Sequence, residues 1–175
     1  FHVIDLKNGT EIGKTDISSP TGSTPAVLGD LVFVGTEQGD FFAIDWKQLE
    51  NKWKYAEAQS GNSIRSSAAV NEKHVIYGGR NRIVHSLNPQ TGEEIWSVTL
   101  KAKIDSSPVI VGERVFIGST DGRLVAISLA DGEIVWGKQF NGGIVGSPAV
   151  AFGKLVIATS RGVVYCLGTK QPTAN

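Results

Sequence analysis

Residues 124–136 read LVAISLADGEIVW. An apolar run gives way to the turn Leu129-Ala130-Asp131-Gly132, and a second run ends in Trp136, eight residues after Ser128. The same spacing recurs twice. In HSLNPQTGEEIW, Trp96 lies eight residues after Asn88, and in FFAIDWKQLENKW, Trp53 lies eight residues after Asp45. Three tryptophans on one ruler imply one structural unit, copied.

Other landmarks keep the same step. Pro25 in GSTPAV, Ala68 in RSSAAV, Pro108 in SSPVIV and Pro148 in GSPAVA are spaced by 43, 40 and 40 residues. Gly35, Gly78, Gly118 and Ala158 close LVFVG, HVIYG, RVFIG and LVIA, and a turn follows each. Within residues 106–140 the pattern is strand (SSPVIV), strand (RVFIGS), strand (RLVAIS) and strand (EIVWGKQF), joined by GE, TDG and LADG. Short β-branched and aromatic runs between Gly/Asp turns argue antiparallel sheet. The closest approach to a helical stripe is WKQLENKWKYAEA, and its Trp53 sits on the shared ruler, which assigns the stretch to a strand.

A four-stranded antiparallel unit of about 40 residues, repeated, predicts an all-β propeller. One such sheet cannot bury two apolar faces alone, whereas radially stacked blades cover both. The second strands are apolar almost throughout, as strands covered on both faces should be. Residues 1–17 supply the third and fourth strands of a partial blade. Blades follow at 18–58, 59–100 and 101–140. Residues 141–168 supply the first three strands of another, and 169–175 form a tail. All belong to one propeller domain. The chain begins FHVIDL, inside a strand, and contains no methionine, so it reads as a piece of a longer protein.

On this plan each ruler tryptophan lies on the outermost strand of a blade, where its ring fills the gap to the next blade and buries about 150–250 Å² if fully covered. Trp53, Trp96 and Trp136 are expected to be equivalent and buried, with Trp46 outside the set. A large ring needs a small neighbour, and Ala43, Ser86, Ala126 and Cys166 recur two residues before the Asp45, Asn88, Ser128 and Gly168 position. Gly92 and Gly132 supply the sharp turn into the outer strand. Cys166 is therefore read as a small buried residue, not a redox thiol.

These residues resemble the tryptophan-docking motif of the PQQ-like (quinoprotein-like) propellers, Ala-x-Asp-x-x-Thr-Gly-x-x-x-Trp. SLNPQTGEEIW and AISLADGEIVW match it closely. AIDWKQLENKW keeps Ala, Asp and Trp but has Leu49 in the glycine slot, and VIDLKNGTEIG keeps Asp5 and Gly9 but has Gly13 in the tryptophan slot. The resemblance runs from Phe1 to about Gly168. It implies a commonly eight-bladed ring, of which this chain would supply about four blades; eight units of about 40 residues need about 330 in all.

Composition narrows the function classes. Seventeen basic residues balance seventeen acidic ones, so nothing points to nucleic acid. No apolar run approaches the roughly 20 residues of a membrane span. One cysteine excludes an internal disulfide. His2 and His85 share a repeat position two blades apart and His74 lies on another strand, so no pair has metal-ligand spacing. Loops entering the first strands, SSPTGS, SGNSIRS, KAKIDS and NGGIVGS, should rim one mouth of the central channel. Arg65 and Asp105 occupy one repeat position in adjacent blades, with Asn62, Lys103 and Asn141 nearby. They are candidates for contacting a protein partner. The plainer account is a solvent-exposed inter-blade ion pair worth about 0–1 kcal/mol.

The resemblance implies two function classes. One is a cofactor-free scaffold, like the periplasmic lipoprotein subunit of the bacterial outer-membrane protein assembly machinery, which binds proteins through loops at a ring face. Short turns and the absence of long insertions favour it. Its remaining blades would come from the rest of the chain or a second copy. The other is part of a quinoprotein dehydrogenase, which implies PQQ and calcium at the channel mouth, acidic and amide ligands, and often a vicinal cysteine pair. A single cysteine cannot form that pair, so such a site would lie mostly outside this chain. The expectation is therefore no catalytic, cofactor or metal residue here, and an extracytoplasmic location.

Overall fold

The computed structural model describes residues 1–56 and 62–168. The tail 169–175, the 58/59 blade boundary and Ser60 and Gly61 of the second entry loop lie outside the described residues. Among the described residues the fold is all-β, with seventeen strands in five antiparallel sheets. The first sheet is a hairpin, β1 (His2–Ile4) and β2 (Glu11–Lys14). Three four-stranded sheets follow: β3 (Ala26–Leu28), β4 (Leu31–Gly35), β5 (Asp40–Asp45) and β6 (Glu50–Ala56); β7 (Ala69–Val70), β8 (Val75–Gly78), β9 (Ile83–Leu87) and β10 (Glu94–Thr99); β11 (Val109–Val111), β12 (Arg114–Gly118), β13 (Arg123–Ser128) and β14 (Ile134–Gln139). The last sheet has three strands, β15 (Ala149–Ala151), β16 (Lys154–Ala158) and β17 (Val164–Leu167).

Each sheet runs in sequence order from inner to outer strand, and the inner strands β3, β7, β11 and β15 neighbour one another in turn. This is an arc of propeller blades: three complete, preceded by two strands of one blade and followed by three of another. Burial follows from stacking. Strands β4 and β8, covered on both faces, are buried throughout, whereas β15 at the open end is exposed throughout.

At the hub, two devices join the blades. Ile64, Ile104 and Ile144 are fully buried. Each presses on a glycine that ends the previous blade's second strand: Gly35, Gly78 and Gly118. A side chain there would occupy the isoleucine's place, which is why these positions carry none. Beside these pegs runs a ladder of hydroxyls. The Thr24 N–H donates to Ser67 Oγ (2.8 Å), Ser67 N–H to Ser107 Oγ (2.9 Å) and Ser107 N–H to Ser147 Oγ (3.3 Å). Each rung ties a backbone donor to the next blade, so these hub amides are satisfied without sheet pairing.

At the periphery, the tryptophans share one register: Ala43 pairs with Trp53, Ser86 with Trp96 and Ala126 with Trp136. Trp53 Nε1–H donates to Pro89 O (2.9 Å) and its ring lies on Gly92; Trp96 Nε1–H donates to Leu129 O (2.8 Å) and its ring lies on Gly132. Both glycines have positive φ, +73° and +77°. They serve as the turn and also as the flat seat for the preceding blade's ring, a second role that spacing does not reveal. Trp46 stands apart, its Nε1–H reaching Gly29 O at 3.3 Å.

The expectation of three buried rings needs correction. Trp96 is 8% exposed, but Trp53 is only partly buried and Trp136 is 38% exposed. Trp136 has the right register but no following turn to lie on, because the last sheet has no fourth strand among the described residues. Cys166, paired with Val156 in the expected slot, is exposed rather than buried for the same reason. Ser86 is more than a small residue: its hydroxyl is 2.9 Å from His74 Nδ1. Burial and the nearby Lys73 push that imidazole below its ordinary pKa.

Candidate interaction site

The loops entering β7, β11 and β15 cross beneath the hairpin turns of the preceding blades. Ile64 N–H donates to Thr36 O, Ile104 N–H to Gly79 O and Ile144 N–H to Ser119 O, at 2.9, 3.3 and 3.0 Å. The residue after each isoleucine therefore emerges beside the previous hairpin. Those residues are Arg65, Asp105 and Val145. The hairpin residues in step with them are Glu37, Arg80 and Thr120.

Arg65 does not pair with Asp105. Arg65 Nε lies 3.2 Å from Glu37 Oε1, and Arg80 Nε lies 3.2 Å from Asp105 Oδ1. Equivalent positions in adjacent blades are a full blade apart, while the preceding hairpin is within reach. Loop and hairpin thus exchange charge between neighbouring junctions, then lose it at Val145 and Thr120. The Arg65–Glu37 side chains are 47% and 33% exposed and the Arg80–Asp105 side chains 31% and 14%. Ser63 Oγ donates to Glu37 Oε2 at 2.6 Å. That bond, and behind it Arg65, holds the Glu37 carboxyl below its ordinary pKa against the opposing effect of burial.

The remaining expected rim residues fall on the same loops. Asn62 is half-buried, its backbone lying against Gly39, where φ is +90° and a Cβ would collide with the Asn62 carbonyl. Lys103 is exposed and its carbonyl accepts from Thr120 N–H at 2.9 Å. Asn141 is exposed one loop further on. Sequence reasoning missed Glu37 and Arg80, although their step of 43 residues matches the repeat. The row offers ionic and amide groups that are partly exposed, although the facing atoms Arg80 Nε and Asp105 Oδ1 are themselves buried. Among the described residues, no three His, Cys, Asp or Glu side chains converge to hold a cation, and no helix is long and apolar enough to cross a membrane.

A second polar cluster lies at the junction of the first two complete blades. His85 is buried, with Nδ1 2.8 Å from Glu94 Oε2, and Tyr55 Oη donates to the same oxygen at 2.8 Å. Tyr77 stacks between Phe41 (4.1 Å) and His85 (5.2 Å). Burial alone would raise the Glu94 carboxyl, but hydrogen bonds from His85, Tyr55 and Ser97 outweigh it and hold the group below its ordinary pKa. His2 and Glu11 repeat the pair at 2.6 Å on the exposed hairpin. The same His–Glu pair thus recurs at one repeat position in two blades.

Comparison with known proteins gives this geometry a context. A family profile described as "Outer membrane protein assembly factor BamB" matches residues 1–168. The outer membrane protein assembly factor BamB of Escherichia coli (strain K12) is 30% identical over 175 residues, covering 93% of this chain and 43% of that protein. The crystal structure of BamB from Moraxella catarrhalis superposes with a TM-score of 0.78 at 21% identity, over 88% of this chain and 48% of that one, which shows the fold. A quinohemoprotein alcohol dehydrogenase of Comamonas testosteroni is 28% identical over 142 residues, 70% of this chain and 20% of that protein. The chain spans less than half the length of the curated assembly factors it matches.

Proposed function

This chain belongs to the family of the outer membrane protein assembly factor BamB, and on that premise we propose that it is a non-catalytic, protein-binding part of a propeller that serves outer-membrane or envelope protein assembly outside the cytoplasm. The observation that carries the reading is the rim row. Two adjacent junctions present Glu37–Arg65 and Arg80–Asp105 in opposite order, partly exposed and on rigid hub loops. Such pairs add little to stability where they are exposed. Alternating charge on a fixed frame sets the register of a polar partner and suppresses wrong ones. Asn62, Lys103 and Asn141 extend the row with amide and ammonium donors.

The test is binding to the protein components of the outer-membrane assembly machinery from the same source. Arg65→Glu and Lys103→Glu, singly and together, should each weaken binding at least tenfold while the thermal melt stays within a few degrees of the parent. Full binding by the double variant would remove the rim from the interface.

The dehydrogenase relative favours a second reading, in which the chain is part of a quinone-dependent enzyme. The described residues supply no converging acidic set for calcium, so under that reading the site would be built elsewhere in the longer protein. Stoichiometric, calcium-dependent PQQ binding by this chain in equilibrium titration would favour the enzyme over the scaffold.

A further inference from the structure

Residues 71–140, which hold most of the second and third complete blades, carry eight cationic and eight anionic side chains. Their net charge is zero, but the fold separates the signs. Six of the cations lie at the rim end, on the hairpins between second and third strands, the ends of the outer strands and the loop entering β11. Six of the anions, Glu72, Glu93, Glu94, Glu113, Asp131 and Glu133, lie at the turns of the opposite end. Composition hides the separation, because each blade reverses its strands and so alternates the two ends along the sequence.

The rim-end cations gather over the junction between these two blades. Arg80 is matched by Asp105. Arg82, Lys101, Lys103 and Arg123 form no ion pair among the described residues. Backbone bonds hold them together: Leu100 N–H donates to Arg82 O (2.7 Å) and Thr120 N–H to Lys103 O (2.9 Å). Arg82, Lys101 and Lys103 are exposed and Arg123 is half-buried. The nearby Asp121 is turned inward, its Oδ1 accepting from Ser119 Oγ at 2.6 Å and from Arg123 N–H at 3.2 Å.

Arg82 carries an independent sign of use. It closes its hairpin with φ +77°, where the other three complete hairpins have Gly39, Gly122 and Gly162 at +90°, +89° and +76°. Glycine takes that conformation freely and arginine does not. An exposed guanidinium is held here at the expense of backbone strain, and strain kept at a surface turn points to function.

We propose that this junction is a recognition site for an acidic polypeptide segment of a partner, with Arg82, Lys101, Lys103 and Arg123 meeting its carboxylates. The site rests on the protein-binding reading above and names the partner's chemistry. Arginine's planar fork accepts a carboxylate bidentately, and clusters of such residues read acidic motifs. A segment fits better than an anionic plane. On the same face the preceding blade presents Glu37 with Arg65 and Asp40 with Lys54, which are matched pairs. The unmatched charge is therefore a local strip that a chain can follow and a membrane surface would overrun.

The probe is fluorescein-labelled poly-L-glutamate, followed by anisotropy at about 0.15 M salt, where charges farther apart than roughly 8 Å are largely screened. It should bind saturably, and poly-L-glutamine of the same length should not. Arg82→Gly with Lys101→Gln should weaken binding at least tenfold. Lys73→Gln with Arg114→Gln, which removes the same charge from the opposite end, should change it less than twofold. Arg82→Gly alone should weaken binding while raising the thermal melt, since it relieves the hairpin; a folding defect would lower both. No saturable binding, equal weakening by the two double variants, or tighter binding to phosphatidylglycerol vesicles than to poly-L-glutamate at equal anionic charge each overturns the site. The probe contains no assembly component, so a failure here strikes the acidic-segment site alone, and a failure of the assembly components to bind strikes the broader reading alone.

Discussion

The junctions that follow the first two complete blades and the junction that precedes the first are built from opposite parts. Behind Trp53 and Trp96 the outer strand contributes a large ring and the next turn contributes a bare glycine, Gly92 or Gly132. At the N-terminal junction the outer strand contributes Gly13 and the next turn contributes Leu49, whose side chain occupies the space a residue at 13 would need. Leu49 does this from a left-handed backbone, φ +58°, which a branched side chain adopts only at a cost of about 1–2 kcal/mol. Two departures from the repeat that look like separate lapses in the sequence are one exchange. What is kept at each junction is a filled gap; which side fills it is free to change.

That comparison can be broken at its strongest point first. Trp96→Ala should cost about 3–5 kcal/mol in denaturant unfolding, the range for deleting a large core aromatic. A loss below about 1 kcal/mol would mean the ring does not hold the junction. Next, glycine's two roles can be separated. Gly92→Ala and Gly9→Ala place alanine at nearly the same φ, +73° and +72°, but only Gly92 has a ring against it, 2.6 Å from where the Cβ would stand. Gly9→Ala should cost about 1–2 kcal/mol from backbone alone, and Gly92→Ala about 1–3 kcal/mol more from overpacking. Equal losses would reduce Gly92 to a turn residue.

The exchange itself is open to a double-mutant cycle. Gly13→Trp alone should collide with Leu49, and Leu49→Gly alone should leave a void. Together they should recover stability, with a coupling of about 1–3 kcal/mol; additive losses would show that the two departures from the repeat are unrelated. Trp136→Ala should cost only about 1 kcal/mol, since its ring is 38% exposed and has no glycine beneath it among the described residues. The smallest effect expected is at acid pH. Because the Glu94 carboxyl is held below its ordinary value of 4.5, its contribution is complete above that value and is lost as pH falls through its folded pKa. Glu94→Gln should flatten the acid side of the stability profile, and an unchanged profile would detach Glu94 from the His85 cluster.

Strands and turns are legible because the 40-residue step repeats Gly, Pro and Trp where backbone geometry needs them. The register of Trp53, Trp96 and Trp136 against Ala43, Ser86 and Ala126 is legible for the same reason. Exposure of Trp136 and Cys166 is not, because burial at a junction depends on the neighbouring blade and not on the residue's own repeat. The ion pairs of Arg65 and Asp105 escape a sequence reading because their partners, Glu37 and Arg80, lie on hairpins 28 and 25 residues earlier in the chain, and only the threading of the loop under the hairpin brings them together. Ser67, Ser107 and Ser147 stand in plain view in RSSAAV, SSPVIV and GSPAVA. Their ladder is hidden because a serine beside a turn resembles a local cap.

The hub ladder has a geometric consequence. Serine rungs and isoleucine pegs hold successive blades at one pitch near the axis, while the filler at the rim, indole or leucine, sets their pitch at a larger radius. Each blade is thus a wedge, like a stone in an arch, and the ratio of outer to inner spacing fixes the angle through which the next is turned. A circle closes only when these angles sum to a full revolution. The number of blades is then written in the thickness of a few side chains.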